Sequence, residues 1–170
     1  MDKLFGYELF SSLEEFKIQM ALGSVDRGVL YDIADDEHCP NAFKDHLIEV
    51  CEDNNVLYYV AKGYHLITDV QMKTLLDRAL SNPKSMAGEN LLEGIVENRS
   101  LSLPLTLEVL ELTSSDPDRW SEIDLSLMNN TDHLIAVAKV IVKRSYNASS
   151  VLERALWLLW QNKQLSLKEE

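Results

Sequence analysis

The feature that most constrains this chain is a succession of short segments in which apolar residues recur at helical spacing. In the clearest segment, Phe43, Leu47, Val50 and Cys51 stand at i, i+4, i+7 and i+8, which places their side chains on one face of a helix. No Asn-Gly or Asp-Gly turn joins alternating runs, as a β-hairpin would require. We therefore expect an all-α protein, either an irregular α-solenoid or a helical bundle of about eight or nine short helices.

Helix boundaries in the first half are marked by capping residues and breakers. Ser12 to Glu15 has the form of a capping box, and Gly23 is a plausible stop for the helix that follows it. Thr68 is a favoured N-cap, and Asn82-Pro83 should end the helix that it begins. The apolar run 56–60 taken alone would also suit a strand, but its helical neighbours favour a helix.

Similar signals continue in the second half. Asp116, followed by a proline, predicts an N-cap and a first-turn proline for a helix that contains Trp120. Thr131 should cap the segment 134–142, which is apolar nearly all round and should therefore be a central, buried helix.

The last helix carries two tryptophans whose environment the sequence leaves open. Trp157 and Trp160 either pack on the preceding apolar helix or form an exposed interface anchor, a role in which Trp is common. The expected apolar stripe of this helix consists of Val151, Leu152, Ala155, Leu156 and Leu159.

Negative charge is concentrated in the first third of the chain. The formal net charge is −12, and residues 1–55 hold four basic and thirteen acidic residues, a net of −9. A negative field disfavours nucleic acid and anionic lipid as partners and favours a basic protein. We expect a basic protein partner, no nucleic acid and no membrane. Residues 139–163 are locally basic and could instead meet the acidic end of a second copy, so a homodimer remains an alternative.

Several features indicate one cytoplasmic domain spanning 1–170. The first ten residues lack the pattern of a secretory signal, and no apolar run approaches the roughly 20 residues of a membrane span. Two cysteines are too few for a disulfide framework, so a reducing compartment is the simpler assumption.

Motifs for common enzyme chemistry are missing. The chain has no glycine-rich phosphate loop, no H-E-x-x-H and no G-x-S-x-G. His38, Cys39, His46 and Cys51 lie close in sequence, but their spacing does not suit a closed zinc site, and His46 should point away from the apolar stripe. Acidic pairs fall mostly at predicted helix ends, where water keeps them ionised. We expect no catalytic residue, cofactor or metal.

Three segments of the chain resemble one another. They are 29–34, 56–61 and 91–96, each followed by a polar turn and a second apolar helix. The stretches 60–66 and 95–104 resemble the leucine-rich repeat variant, a relative of HEAT-type helical repeats. That resemblance implies stacked helix pairs with a concave face that binds a partner. An ordinary helical bundle also produces such echoes, so both arrangements stay open.

A small acidic chain without catalytic motifs also resembles, in size and charge, the immunity proteins of bacterial toxin–immunity pairs. The resemblance implies a non-catalytic inhibitor that covers the active site of a basic toxin, such as a nuclease. A helical-repeat scaffold or adaptor, a DNA-mimicking inhibitor, and an enzyme with an unrecognised carboxylate or His site are the alternatives. The expected partner-binding residues are Asp32, Asp35, Asp36, Glu37, Glu49, Glu52 and Asp53, with Tyr31, Tyr58 and Tyr59 as anchors.

Overall fold

The computed structural model describes residues 6–64, 66–117, 119–130, 133–144 and 149–166, and every regular element within these ranges is helical. The prediction of an all-α protein is confirmed. Within these ranges, ten α-helices follow a short 3-10 turn at Gly6–Leu9, slightly more than the eight or nine helices expected, because each short apolar segment (56–60 included) forms a helix of its own. The helices are α1 Leu13–Ala21, α2 Arg27–Asp35, α3 Asn41–Val50, α4 Asn54–Gly63, α5 Asp69–Ser81, α6 Met86–Glu97, α7 Leu103–Thr113, α8 Ser121–Asn130, α9 Leu134–Val142 and α10 Ser149–Ser166.

The chain divides into two compact units, Met1–Ile95 and Val96–Glu170. The single domain and the choice between solenoid and bundle stay predictions. None of the helices in the described ranges is both long and apolar enough to span a bilayer.

In the first unit, α2 and α3 are the central helices. α2 packs against the 3-10 turn, α3 and α4, while α3 also contacts α1, α4 and α5. Aromatic side chains fill the space between α1 and α3: the ring centroid of Phe16 lies 5.0 Å from those of Phe10 and Phe43. Phe16 is completely buried. Phe43, Leu47 and Cys51 of the apolar stripe predicted for α3 are buried as expected, whereas its fourth member, Val50, is 45% exposed.

Two predicted caps are present. The hydroxyl of Ser12 accepts a hydrogen bond from the backbone N–H of Glu15 at 3.2 Å, and that of Thr68 accepts one from Gln71 at 3.3 Å. At Thr68 the capping box is complete, because the Gln71 side chain accepts from the Thr68 backbone N–H at 3.0 Å. At α1 the carboxylate of Glu15 instead binds the N–H of Ser11, one residue earlier than the sequence pattern implies.

In the second unit, α9 is the central helix. It packs against α7, α8 and α10, as its nearly all-round apolar surface predicted. Val137, Ala138 and Ile141 of α9 are completely buried.

Of the two caps predicted in this unit, one differs in the structure and the other lies outside the described residues. Asp116 does not cap α8, because the helix begins at Ser121. Asp116 begins a separate turn before the helix, in which its backbone carbonyl accepts from the N–H of Trp120 at 3.2 Å and its carboxylate from the N–H of Arg119 at 3.4 Å. His133 occupies the N-cap position of α9, and Thr131 lies outside the described residues.

The buried face of α10 agrees only in part with the predicted stripe, because Val151 and Ala155 belong to the stripe and Leu158 does not. Val151, Ala155 and Leu158 are buried, whereas Leu156 is 49% exposed. Trp157 and Trp160 are 47% and 55% exposed. Apolar residues lie almost all round this helix, so the spacing alone did not identify the face that packs against α8 and α9.

Candidate functional site

The three tyrosines predicted as anchors lie together on one groove of the first unit. The groove has a volume of about 490 Å³ and is formed by side chains of α2, α4 and α6. It is lined by Tyr31, Asn55, Tyr58, Tyr59, Asn90 and Glu93. Tyr31 comes from a helix some 27 residues before the other two tyrosines, so only packing of α2 on α4 brings them together.

Tyr59 is the middle ring of the three. Its centroid lies 5.6 Å from that of Tyr31 and 4.9 Å from that of Tyr58, and both pairs are close to perpendicular. Edge-to-face contact of this kind is a favoured geometry for aromatic pairs and fixes the ring orientations.

The chain's own cations already contact two of these rings. The guanidinium of Arg27 lies 5.4 Å from the centroid of Tyr31, and the Lys62 ammonium lies 5.5 Å from that of Tyr58. Both distances are within the usual range of a cation–π interaction. The tyrosine surface is therefore chemically suited to positively charged groups.

Asp53, a predicted partner-binding residue, has a structural role as well. Its carboxylate accepts from Arg27 Nε at 2.6 Å and caps α4 by accepting from the backbone N–H of Asn55 at 3.0 Å. Partial burial disfavours the charged form, but the hydrogen bonds from Arg27 and Asn55 outweigh it and lower the pKa of the Asp53 carboxyl. Asp53 is thus less available to a partner than the sequence suggested.

Sequence reasoning missed the α6 side of the groove. Asn90 Nδ2 donates to Asn55 Oδ1 at 3.1 Å, and Glu93, exposed, stands one helical turn after Asn90 on the same face. The i, i+3 spacing of these two polar residues was the available signal, although Glu89 and Glu97 of the same helix are polar as well. It did not show that α6 lies beside Tyr58.

A second group of predicted carboxylates surrounds the end of α2. Asp32, Asp35 and Glu37 are exposed, and Asp36 is half-buried with Oδ1 accepting from the His38 backbone N–H at 2.8 Å. The last turn of α2 contains no basic residue. Within the described ranges, the carboxylates of Asp32 and Asp35 make no hydrogen bond or ion pair with another side chain, and that of Glu37 has only His38, 3.6 Å away.

At the end of α3, in contrast, a cation from another helix binds the free backbone carbonyls. Arg78 of α5 donates to the backbone carbonyls of Glu49 (3.1 Å) and Cys51, which places a cation at the negative end of the helix. The predicted residue Glu52 lines a second groove there, of about 390 Å³, with Asn54, Arg78 and Ser81.

The Cys and His residues considered as zinc ligands have other surroundings in the structure. Cys39 and Cys51 are buried and free, and burial raises the pKa of the Cys39 thiol to about 12. His46, expected to point away from the apolar stripe of α3, packs on the buried ring of Phe16 in a T-shaped arrangement with centroids 5.9 Å apart. In the described part of the chain, no three Cys, His, Asp or Glu side chains are placed to hold a metal ion.

One ionisable cluster of the second unit was not predicted. Asp124 is completely buried and accepts from Thr113 Oγ1 at 2.7 Å and from Arg144 at 3.1 Å. Arg144 also donates to the carbonyl of Leu110, so this cluster joins α7, α8 and the end of α9. Burial raises the pKa of the Asp124 carboxyl to about 6, although the Thr113 and Arg144 hydrogen bonds act in the opposite direction.

The locally basic stretch 139–163 is less basic at its surface than its sequence implies. Arg144 is paired with Asp124, and Arg154 lies 4.6 Å from the ring centroid of Trp157 while donating to Asn129 at 3.1 Å. Two of its cations are therefore engaged within the unit.

No protein-family model, curated protein or solved structure matches this chain.

Proposed function

We propose that this chain is a non-catalytic inhibitor of the immunity-protein kind, which binds a basic toxin and covers its active site. The observation that supports the proposal is the set of uncompensated carboxylates at the end of α2. Asp32, Asp35 and Glu37 are exposed, and no Lys or Arg of the described residues pairs with them.

The described cations of the first third are already engaged or buried. Lys17 pairs with Glu14 at 3.0 Å, Arg27 pairs with Asp53 at 2.6 Å, and Lys44 is 3% exposed. The negative field at the end of α2 is therefore left for an external partner to neutralise.

The helix itself adds to this field. Asp35 is the last residue of α2 and Asp36 is its C-cap, so carboxylates stand where the macrodipole already places partial negative charge. Each such charge opposes helix stability by about 0.3–1 kcal/mol at low ionic strength. Lys or Arg side chains of a partner would remove this repulsion and would be attracted from a distance.

The proposed mechanism is steric and electrostatic. Carboxylates at the end of α2 would occupy the positions that substrate phosphates take on a basic nuclease. The tyrosine-lined groove would supply the apolar contact that charge pairs alone lack. Glu49 and Glu52, exposed at the end of α3, would extend the acidic surface.

A scaffold, a DNA mimic and an enzyme remain the alternative proposals. An enzyme would need a titratable group with a shifted pKa in contact with substrate. Asp124 has such a pKa, but it has no exposed surface and its carboxylate is held by Thr113 and Arg144.

The test compares two variants with the same net charge. In the first, Asp32→Asn, Asp35→Asn and Glu37→Gln neutralise the end of α2; in the second, Glu111→Gln, Glu122→Gln and Glu153→Gln neutralise exposed carboxylates of the second unit. Each immobilised protein captures partners from a lysate of the cells that produce it, at low and at high salt. The affinity for the recovered protein is then measured by calorimetry.

We expect a basic protein that elutes with salt and binds the first variant at least about tenfold more weakly than the second. Inhibition of that protein's activity by the unmodified chain is the second requirement. Equal affinity for the two variants, or recovery of a neutral partner that salt does not affect, would contradict the proposal.

A further inference from the structure

We infer that the tyrosine-lined groove of the first unit is a binding site for one arginine side chain. This inference rests on the proposed function for the source of the arginine, which a basic partner would present. The side chains that line the groove come from α2, α4 and α6, and the carboxylates at the end of α2 are not among them.

The aromatic part of the groove has one ring without a cation. Arg27 lies over Tyr31 and Lys62 over Tyr58, while Tyr59, between them, has no cation over it in the described part of the chain. Arg27 is held by Asp53, and Lys62 donates to the Tyr58 hydroxyl at 3.2 Å. Neither cation is among the residues that line the groove, so its interior is left for an external group.

The polar part of the groove offers acceptors. Asn55 Oδ1 already accepts a hydrogen bond from Asn90 Nδ2. The side-chain oxygen of Asn90, Oδ1, has no partner among the described residues. Glu93, one turn further along α6, is exposed and has no ion pair or hydrogen bond from a described side chain. A carboxylate and a carboxamide oxygen therefore lie beside aromatic rings.

This combination suits a guanidinium better than an ammonium or an anion. A planar guanidinium can stack on a tyrosine ring while its five N–H groups bind two separate oxygens. An ammonium is more strongly hydrated and cannot stack in this way. An anion would be repelled by Glu93 and by the net charge of the acidic third.

The two helices that carry Tyr58 and Glu93 approach each other closely beside the groove. A Cβ added to Gly94 would lie 2.6 Å from the carbonyl oxygen of Tyr58, so α6 meets α4 with no room for a side chain between them. This contact holds Glu93, the neighbour of Gly94, against the tyrosine-bearing helix. A volume of about 490 Å³ lies in the range of small-ligand pockets.

The test uses three probes that differ in one group. N-acetyl-L-argininamide, N-acetyl-L-lysinamide and N-acetyl-L-citrullinamide are titrated into the full chain, and the side-chain carboxamide signals of Asn55 and Asn90 are followed by NMR. The arginine probe should shift both signals with a dissociation constant on the order of 1 mM. The lysine probe should bind several-fold more weakly, and the uncharged citrulline probe should cause no saturable shift.

Glu93→Gln, which keeps the shape of the side chain, should weaken the arginine probe about tenfold. Glu111→Gln, an exposed glutamate of the second unit, is the matched control and should leave the affinity unchanged. Equal shifts with arginine and citrulline, no shift at either carboxamide, or equal loss in both variants would overturn the inference.

The outcome is separable from that of the proposed function. If a basic partner is captured in a salt-sensitive way through the end of α2 but arginine shifts neither Asn55 nor Asn90, the arginine site is overturned and the inhibitor proposal stands. Specific arginine shifts without capture of a basic partner support the groove and count against the inhibitor proposal.

Discussion

Asp124 and Arg144 form an ion pair of 3.1 Å in which the carboxylate is completely buried and the Arg144 side chain is 10% exposed. The two residues are 20 positions apart and connect α8 to the end of α9. Burial costs the charged carboxylate more than its hydrogen bonds return, which is why the pKa of Asp124 is raised to about 6.

This raised pKa predicts a specific pH dependence of stability. The carboxyl has a pKa near 3.8 in the unfolded state, so between about pH 4 and pH 6 the folded state still binds a proton that the unfolded state has released. The contribution of this proton to the free energy of unfolding is full below about pH 4 and is lost as the pH rises through about 6. Between pH 5 and pH 7.5 the free energy of unfolding should fall by about 1 kcal/mol relative to Asp124→Asn. Urea unfolding of both proteins measures it, and a difference independent of pH would contradict the raised pKa.

Removing the cation should be more damaging than removing the carboxylate. Arg144→Met leaves Asp124 buried without its counter-charge and should lower the free energy of unfolding by about 3–5 kcal/mol at pH 7. Adding Asp124→Asn to Arg144→Met should recover part of that loss, because the unpaired buried charge disappears. A double variant no more stable than Arg144→Met would show that the pair does not act as a unit.

Gly94 should tolerate no side chain. Gly94→Ala places a methyl group against the Tyr58 carbonyl oxygen and should cost about 1–3 kcal/mol by forcing α4 and α6 apart. Gly63→Ala, at the end of α4, meets nothing within 4 Å and should instead stabilise by about 0.5–1 kcal/mol. Thermal unfolding of the two variants measures the difference, and equal effects would argue against the close approach.

Arg78 should stabilise α3 more than its surface position suggests. Arg78→Met leaves the carbonyls of Glu49 and Cys51 without their donor and should cost about 1–3 kcal/mol. Lys73→Met on the same helix removes an exposed i, i+4 pair with Asp77 and should cost less than about 0.5 kcal/mol. Denaturant unfolding separates the two, and similar losses would rule out a capping role for Arg78.

The two leucines on opposite sides of α10 should respond differently to the same change. Leu158→Ala should cost about 2–5 kcal/mol, because Leu158 is 7% exposed and its removal leaves a cavity. Leu156→Ala should cost less than about 1 kcal/mol, because that side chain is 49% exposed. A larger loss of stability for Leu156→Ala than for Leu158→Ala would instead support the stripe expected from the sequence, in which Leu156 is buried.

The sequence by itself determined the helical class and several helix ends. Ser12 and Thr68 act as caps, and the helix after Thr68 ends before Asn82-Pro83, because these interactions join residues only a few positions apart. The sequence also singled out the three tyrosines that line the groove and the carboxylates near the end of α2. It could not show that Glu93 and Asn90 complete the groove, since they come from a helix about 35 residues further on.

Only the tertiary structure decided which of several equivalent faces and partners is used. On α10, apolar residues surround the helix, so burial of Leu158 and not Leu156 depends on where α8 and α9 lie. Likewise, nothing in the sequence around Asp124 or around Arg144 indicates that these two residues form an ion pair. Periodicity and capping are local properties of the chain, whereas burial and ion pairing between helices depend on packing that no short segment encodes.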